Sequence, residues 1–411
     1  MTRAGTRAGN PAPAGLLLAA IALVALNLRP FIAGIGPLAA DIGAHTGLDL
    51  KRMSLLTLVP MLLMGLVAFA GPAVQARLGG RRAVLLALAL LAAGSSLRLW
   101  ASAGWQLIGT AAMLGLGAAV VQAVLPGIIK RQFPRHVGVV MGLYSSMLMA
   151  GGALGAQLSP LAAAASGDWR IGLAWMAVPA LLALALAARS LPPDEAVRSG
   201  RMAAATYLAR PRVWLLMACF GLVNGGYSSV VAWLAPFYQE RGWSAAASGS
   251  LLAALTVCQA AAALLLPVLA RKHEDRRPWL WLTLVLQAAG FAALAWRPDA
   301  APIAWSMLLG AGLGGCFALS LIVALDHLPD PLRAGVLSSY VQGGGFLIAA
   351  APPWIVAALR EATGGFRDGW LLHLACVAVV AALYLRAAPS SYARAMAAPR
   401  ADAARAGSGG S

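Results

Sequence analysis

Stretches of about 20 residues that are almost wholly apolar recur along this chain, separated by short polar or basic connections. A helix of that length crosses a hydrocarbon core of ~30 Å, and within a bilayer a continuous helix satisfies its own backbone. Twelve such helices are expected, in approximate bounds 15–39, 54–76, 83–101, 107–129, 137–164, 171–189, 213–237, 247–270, 279–296, 302–326, 335–359 and 370–387. The first is too long for the apolar region of a cleaved signal peptide and is followed by a whole series of spans, so it counts as a helix of the fold. With 60% of residues hydrophobic and only 11% charged, the composition excludes a soluble globular domain. The fold class is an all-α membrane protein.

The long polar connection SLPPDEAVRSGRMAAATYLARPR divides the helices into two groups of six. The expected organisation is an N-terminal tail (1–14), a six-helix bundle (15–189), a linker (190–212), a second bundle (213–387) and a disordered tail (388–411). A net charge of +17 could suggest nucleic acid, but the basic residues follow loop parity and form no single patch. Arg77, Arg81 and Arg82, then Lys130, Arg131 and Arg135, and the linker and tail arginines all fall on one side. Excess Lys and Arg marks cytoplasmic loops, so both termini are expected inside the cell, in the inner membrane. Lys51, Arg52 and Arg98 fall in or near outer loops.

The cysteines (219, 258, 316 and 376) lie singly within helices, and the histidines are scattered without ligand spacing. No metal, cofactor or enzymatic site is expected. Every Asp and Glu lies in a loop or at a helix end, Asp326 beside His327 among them. An intramembrane acid is what a proton relay or a binder of cationic drugs normally uses, so its absence argues against both.

The halves repeat. SLL at Ser54 returns at Ser250, LGLG at Leu114 returns as LGAG at Leu309, and Asn27 matches Asn224, with offsets of 195 to 197 residues. Parallel repeats of this kind place a solute site between the halves near the bilayer midplane. With twelve helices, a six-plus-six repeat and basic loops after the second and eighth helices, the chain resembles the major facilitator superfamily of secondary transporters. LNLRPFIAGIGPLAADI, and LPGIIKRQFPRHVGVVMGLYSSMLMAGGALGA through the fourth and fifth helices, resemble more narrowly its cyanate and 2-nitroimidazole permease branch. Two departures count. The loop GPAVQARLGGRR has Ala76 where the superfamily pattern has an aspartate, which weakens a latch built there around Arg77, Arg81 and Arg82. GGALGAQLSP lacks the Gly-Pro pair of the superfamily's antiporters.

Arg29 is then a permanent charge in an otherwise apolar run, roughly ten residues or ~15 Å from the outer end of its helix. Its insertion costs at least ~2.5 kcal/mol, so it should face a cavity or a partner. Contact with substrate and a structural tether to carbonyls of a neighbouring helix both remain open. Pro30 cannot donate to the carbonyl of Leu26, so the helix should kink there, and Gly34, Gly36 and Pro37 extend the weakness as a candidate hinge. On helices that line the central path in the resembled superfamily stand Asn27, Gln122, Tyr144, Asn224, Tyr227, Gln259, Tyr340 and Gln342. Each alone is more often an interhelical hydrogen bond than a ligand contact. Together with Arg29 they describe an amide- and phenol-lined site for a small organic anion or nitro/azole compound, worked by alternating access. The partners expected are that solute and the lipid bilayer, with no nucleic acid and a monomeric chain. A multidrug exporter is the alternative.

Overall fold

The structure is a computed structural model that describes residues 14–133, 135–193, 207–270 and 272–397. Most of the expected linker and the outer parts of both tails lie outside the described residues. Among the described residues every regular element is helical. Twelve spans are long and apolar enough to cross a membrane: Ala14–Thr46, Leu50–Ala70, Gly80–Trp100, Gly104–Ile129, Val139–Ser166, Trp169–Ser190, Pro211–Gln239, Ala245–Ala270, Arg277–Trp296, Pro302–Asp326, Arg333–Thr363 and Arg367–Leu385. Several run past the expected ends; the helix carrying the second span continues to Leu78, because lipid-length apolar windows say little about where a helix stops in water.

The packing repeats as the sequence does. In the first half the first span lies on the fifth, the second on the fourth, and the third on the fourth and sixth. In the second half the seventh lies on the eleventh, the eighth on the tenth, and the ninth on the tenth and twelfth. The halves meet through the fifth span on the eighth and the second on the eleventh, which are also equivalent pairs. Apolar side chains gain little from leaving lipid for protein, so close backbone approach has to hold such bundles together.

The first span breaks where proline chemistry requires it. Its helix ends at Leu26, Arg29 takes φ −126° and ψ −20°, and a short helix Pro30–Ala33 and a 3-10 turn Gly36–Leu38 follow. The amides of Asn27 and Leu28 tighten onto Val24 and Ala25 at 3.2 and 3.1 Å. The Asn27 side-chain amide donates to the Leu23 carbonyl at 2.7 Å and so satisfies what the turn releases. The broken segment nests in the fifth span. A Cβ on Gly155 would stand 2.5 Å from the Pro30 carbonyl oxygen, and one on Gly151 would collide with the Leu26 carbonyl, so glycine at both positions admits the irregular backbone. The repeat partner of this span, Pro211–Gln239, is one uninterrupted helix.

One tail expectation needs correcting. Residues 388–397 are ordered: Pro389–Ser391 form a 3-10 turn and Tyr392–Met396 a short helix, with Tyr392 and Met396 buried. Arg212 fastens this piece by donating to the Arg386 carbonyl at 2.7 Å and the Ser391 hydroxyl at 2.9 Å. Residues 398–411 lie outside the described residues.

Candidate functional site

The broken first span delivers Arg29 to a cavity of about 420 Å³ between the two halves. Gln122 of the fourth span, Tyr144 of the fifth and Gln342 of the eleventh line it with Arg29. The remaining polar lining is hydroxyl, from Ser145, Ser338 and Ser339, and the walls are Met64, Met141, Met149, Leu148, Phe317 and Phe346. No carboxylate is among the lining side chains. From Arg29 the cavity runs past Ala68, Pro126, Met141, Leu325 and Gly335 toward the ends of the spans joined by the basic loops, here called the basic end.

Arg29 is only 5% exposed, and its Nε and Nη1 have no hydrogen-bond partner. Its one ordered neighbour of note is the Tyr227 ring, whose centroid lies 5.1 Å from the guanidinium carbon. A cation over a phenol face gains ~1 kcal/mol, more when desolvated, and leaves the N–H groups free. The offset of 197 that relates Asn27 to Asn224 relates Pro30 to Tyr227, so the guanidinium faces the other half at an equivalent level. The Gln122 Nε2 is also buried without a partner, which puts a second unoccupied donor on the same cavity.

Asn27, Asn224 and Tyr340 are engaged elsewhere, and the two remaining glutamines differ in place. Asn27 donates to Leu23 and, at 3.2 Å, to the Pro179 carbonyl of the sixth span, and Asn224 donates to the Phe220 carbonyl at 2.8 Å. The two repeat-related asparagines therefore do the same local work four residues back. Tyr340 packs between the rings of Phe69 and Tyr207. Gln259 is buried with its Oε1 unpartnered and is not among the side chains that line the cavity. Gln342 bonds weakly to the Ser338 carbonyl at 3.4 Å. Ser338 is one turn before Gln342, a spacing that could have brought it into the expected set. Of the loop arginines, Arg81 donates to the Ala188 carbonyl at 2.6 Å, tying the loop to the first half, while Arg77 and Arg82 are exposed.

Away from the basic end the halves close on each other. Gly36 of the first span sits so close to the seventh that a Cβ there would lie 2.8 Å from the Val231 carbonyl oxygen. The Gln239 Nε2 donates to the Pro37 carbonyl at 2.8 Å, and Lys51 pairs with Glu361 across the halves at 2.6 Å. Gly34, Gly36 and Pro37 thus belong to the closed side, next to the break at Pro30.

At the basic end, Asp326 pairs with Arg276 at 3.4 Å. His327, just past the tenth span, is buried; its Nδ1 is 2.6 Å from the Val323 carbonyl, its Nε2 has no partner, and its ring stacks on Tyr392 at 3.8 Å. Burial lowers its pKa to about 4, and burial pushes the Tyr392 phenol up to about 12. Asp275 is held below the usual carboxylate range by hydrogen bonds from Arg277.

Sequence puts Arg98 in or near an outer loop, at the end of the third expected helix. It is buried instead, 1% exposed, with Nη1 donating to the Phe31 carbonyl and Nε to the Thr110 hydroxyl, both at 3.4 Å. Its place at the end of an apolar window hid it, since hydropathy cannot distinguish a helix end in water from one turned into the protein.

Comparison with known proteins bears on all of this. The profile of the Major Facilitator Superfamily matches residues 16–353. The cyanate transport protein CynX of Escherichia coli (strain K12) is 41% identical over 91% of this chain and 97% of its own length. The 2-nitroimidazole transporter of the same organism is 30% identical over 90% and 93%. Among solved structures, a bacterial homologue of the human lysosomal transporter Spinster superposes with a TM-score of 0.77 at 15% identity, covering 95% of this chain and all of that one. A D-xylose-proton symporter gives 0.74 at 17%, covering 91% and 97%.

Proposed function

This chain belongs to the Major Facilitator Superfamily, a transporter and not an enzyme, and from that premise we propose that it moves a small planar organic anion or a nitro/azole compound across the inner membrane. The observation that carries the reading is Arg29: a buried guanidinium with two unpartnered N–H-bearing nitrogens, on a cavity lined by no carboxylate. A guanidinium presents parallel donors that match a planar pair of acceptors, and its bonds to an anion are about twice as strong as neutral ones. The Gln122 amide adds a donor for a third acceptor atom, and the Tyr144 hydroxyl a further one. Phe317 and Phe346 offer flat apolar faces to a ring, and the methionines adapt to its outline. Of the solutes in the names of the two relatives, 2-nitroimidazole carries such a planar acceptor pair on a ring, and cyanate is a small linear anion whose charged ends suit single donors of Arg29 and Gln122.

Transport follows by alternating access. The cavity reaches the basic end, whose excess of Lys and Arg supports a cytoplasmic position for it and for both termini, and the contacts of Gly36, Gln239 and Lys51 join the halves on the opposite side. Rocking of the halves exchanges these two arrangements, with Pro30, Gly34, Gly36 and Pro37 as the flexing segment. A lipophilic cation finds no counter-charge in this cavity, so multidrug export is disfavoured. A thermal-shift screen of purified protein against cyanate, small carboxylates, nitroheterocycles and lipophilic cations tests the reading. Stabilisation by the anions or nitroheterocycles is expected; stabilisation by the cations alone would overturn it.

A further inference from the structure

Arg98 is a second buried cation, and among the described residues no carboxylate pairs with it. Its partners are the Thr110 hydroxyl and one carbonyl, that of Phe31. That carbonyl is available because of the break. In a continuous helix the amide of Ile35 would take it, but here this amide turns to the Ile32 carbonyl at 3.3 Å. A buried carbonyl without a donor is costly, and a guanidinium is a strong donor for it. Thr110 is itself fixed, donating to the Leu107 carbonyl at 2.8 Å, so Arg98 is held from the fourth span while it reaches the first.

We infer that Arg98 is a positioning residue for the substrate site: it pins the Pro30–Leu38 segment to the third and fourth spans and thereby sets where Arg29 stands in the cavity. Arg29 is two residues before the captured carbonyl, on the other side of Pro30, with its Cβ beside Gly152. Pro30 donates nothing back to Leu26, but the Arg29 carbonyl accepts from the amides of Ile32 and Ala33 at 3.2 and 3.3 Å, so Arg29 is tied to the segment beyond the proline more than to the helix before it. Without an anchor immediately beyond it, the segment slides on the glycine face of the fifth span and carries the guanidinium with it. With the anchor at the Phe31 carbonyl, flexing falls on either side of it, at Pro30 and at Gly34 to Pro37, and Arg29 keeps its place relative to the first half when the halves rock. The inference rests on the reading of Arg29 as the anion's partner.

Hydrogen exchange and ligand binding on the full chain in nanodiscs test it, using wild type, Arg98→Gln, Arg98→Lys and the milder Thr110→Val. In Arg98→Gln the amides of Phe31 to Leu38 are expected to exchange ~10-fold faster, the factor one charge-assisted bond supplies, with the rest of the chain unchanged. The Kd for cyanate and 2-nitroimidazole should weaken by a similar factor, Arg98→Lys and Thr110→Val should fall between, and Arg29→Met/Arg98→Gln should bind no worse than Arg29→Met. Unchanged exchange in that segment, or faster exchange spread over the whole chain in all three variants, overturns the anchor. Local loosening with unchanged Kd overturns the positioning role while leaving Arg29 as the binding group. If wild type binds neither probe, the functional reading falls, and the exchange pattern alone decides whether Arg98 holds the segment.

Discussion

Replacing Arg29 by methionine separates a binding group from a structural one by the sign of its effect on stability. The side chain is 5% exposed, two of its nitrogens lack partners, and the Tyr227 ring at 5.1 Å is its compensating contact. Against an insertion cost of at least ~2.5 kcal/mol, the ring returns ~1 to 2 kcal/mol. Methionine keeps an unbranched apolar stem and removes the guanidinium, so the ligand-free protein should be as stable as wild type or more stable by roughly 1 kcal/mol. Binding should move the other way. Two charge-assisted bonds to an anion at ~1.5 kcal/mol each amount to ~3 kcal/mol, or on the order of 100-fold in Kd. Paired thermal melts in the same detergent, with and without saturating cyanate or 2-nitroimidazole, read both quantities. A ligand-free Arg29→Met protein that melts well below wild type while keeping the ligand-induced shift would refute the reasoning and make Arg29 a tether.

Three further outcomes are expected. The Lys51–Glu361 pair joins the halves on the side opposite the cavity and is partly exposed, so either single charge reversal should shift the resting state by only about a few-fold; the double reversal should restore it, and a disulfide formed in Lys51→Cys/Glu361→Cys should arrest flux until reduced. Gly155→Ala drives a methyl group into the Pro30 carbonyl and should cost ~1 to 3 kcal/mol together with most transport, whereas alanine at Gly109, where a Cβ meets nothing within 4 Å, should be silent in melts and flux. His327 stays neutral in the fold down to about pH 4, whereas unfolded it takes a proton near 6.5; the unfolded chain then binds more protons, so stability should fall as pH drops through this window, by roughly 3 kcal/mol in all. Melts of His327→Gln between pH 7 and 4 should lack that component, and an unchanged slope would mean that the imidazole is not the group responsible.

Features governed by local chemistry were legible in the sequence. Span number follows from the length an apolar helix needs, and the break at Arg29 follows from a proline that cannot donate. The recurrence of Asn27 at Asn224 anticipated equivalent packing, yet not its use: each amide caps a carbonyl four residues back in its own helix, and that of Asn27 also reaches the Pro179 carbonyl of the sixth span. What escaped depends on which way a helix faces. Tyr340 turns to Phe69 and Tyr207 instead of the cavity, and Arg98 turns inward from a position hydropathy assigns to water. The repeat concealed an asymmetry as well, since Pro30 has Tyr227 as its counterpart and the first span is broken where the seventh is continuous. The ordered piece after 388 was hidden by composition: small residues surround Tyr392, whose stacking on His327 joins groups far apart in sequence.

The most direct measurement is counterflow in proteoliposomes loaded with unlabelled cyanate and exposed to labelled cyanate outside. Wild type should accumulate label transiently, 2-nitroimidazole should compete, and Arg29→Met should abolish the overshoot in vesicles containing equal amounts of folded protein. Label uptake no greater than in protein-free vesicles, with the same result when 2-nitroimidazole or small aryl anions are the loaded and labelled solute, would contradict the account; so would an undiminished overshoot in Arg29→Met.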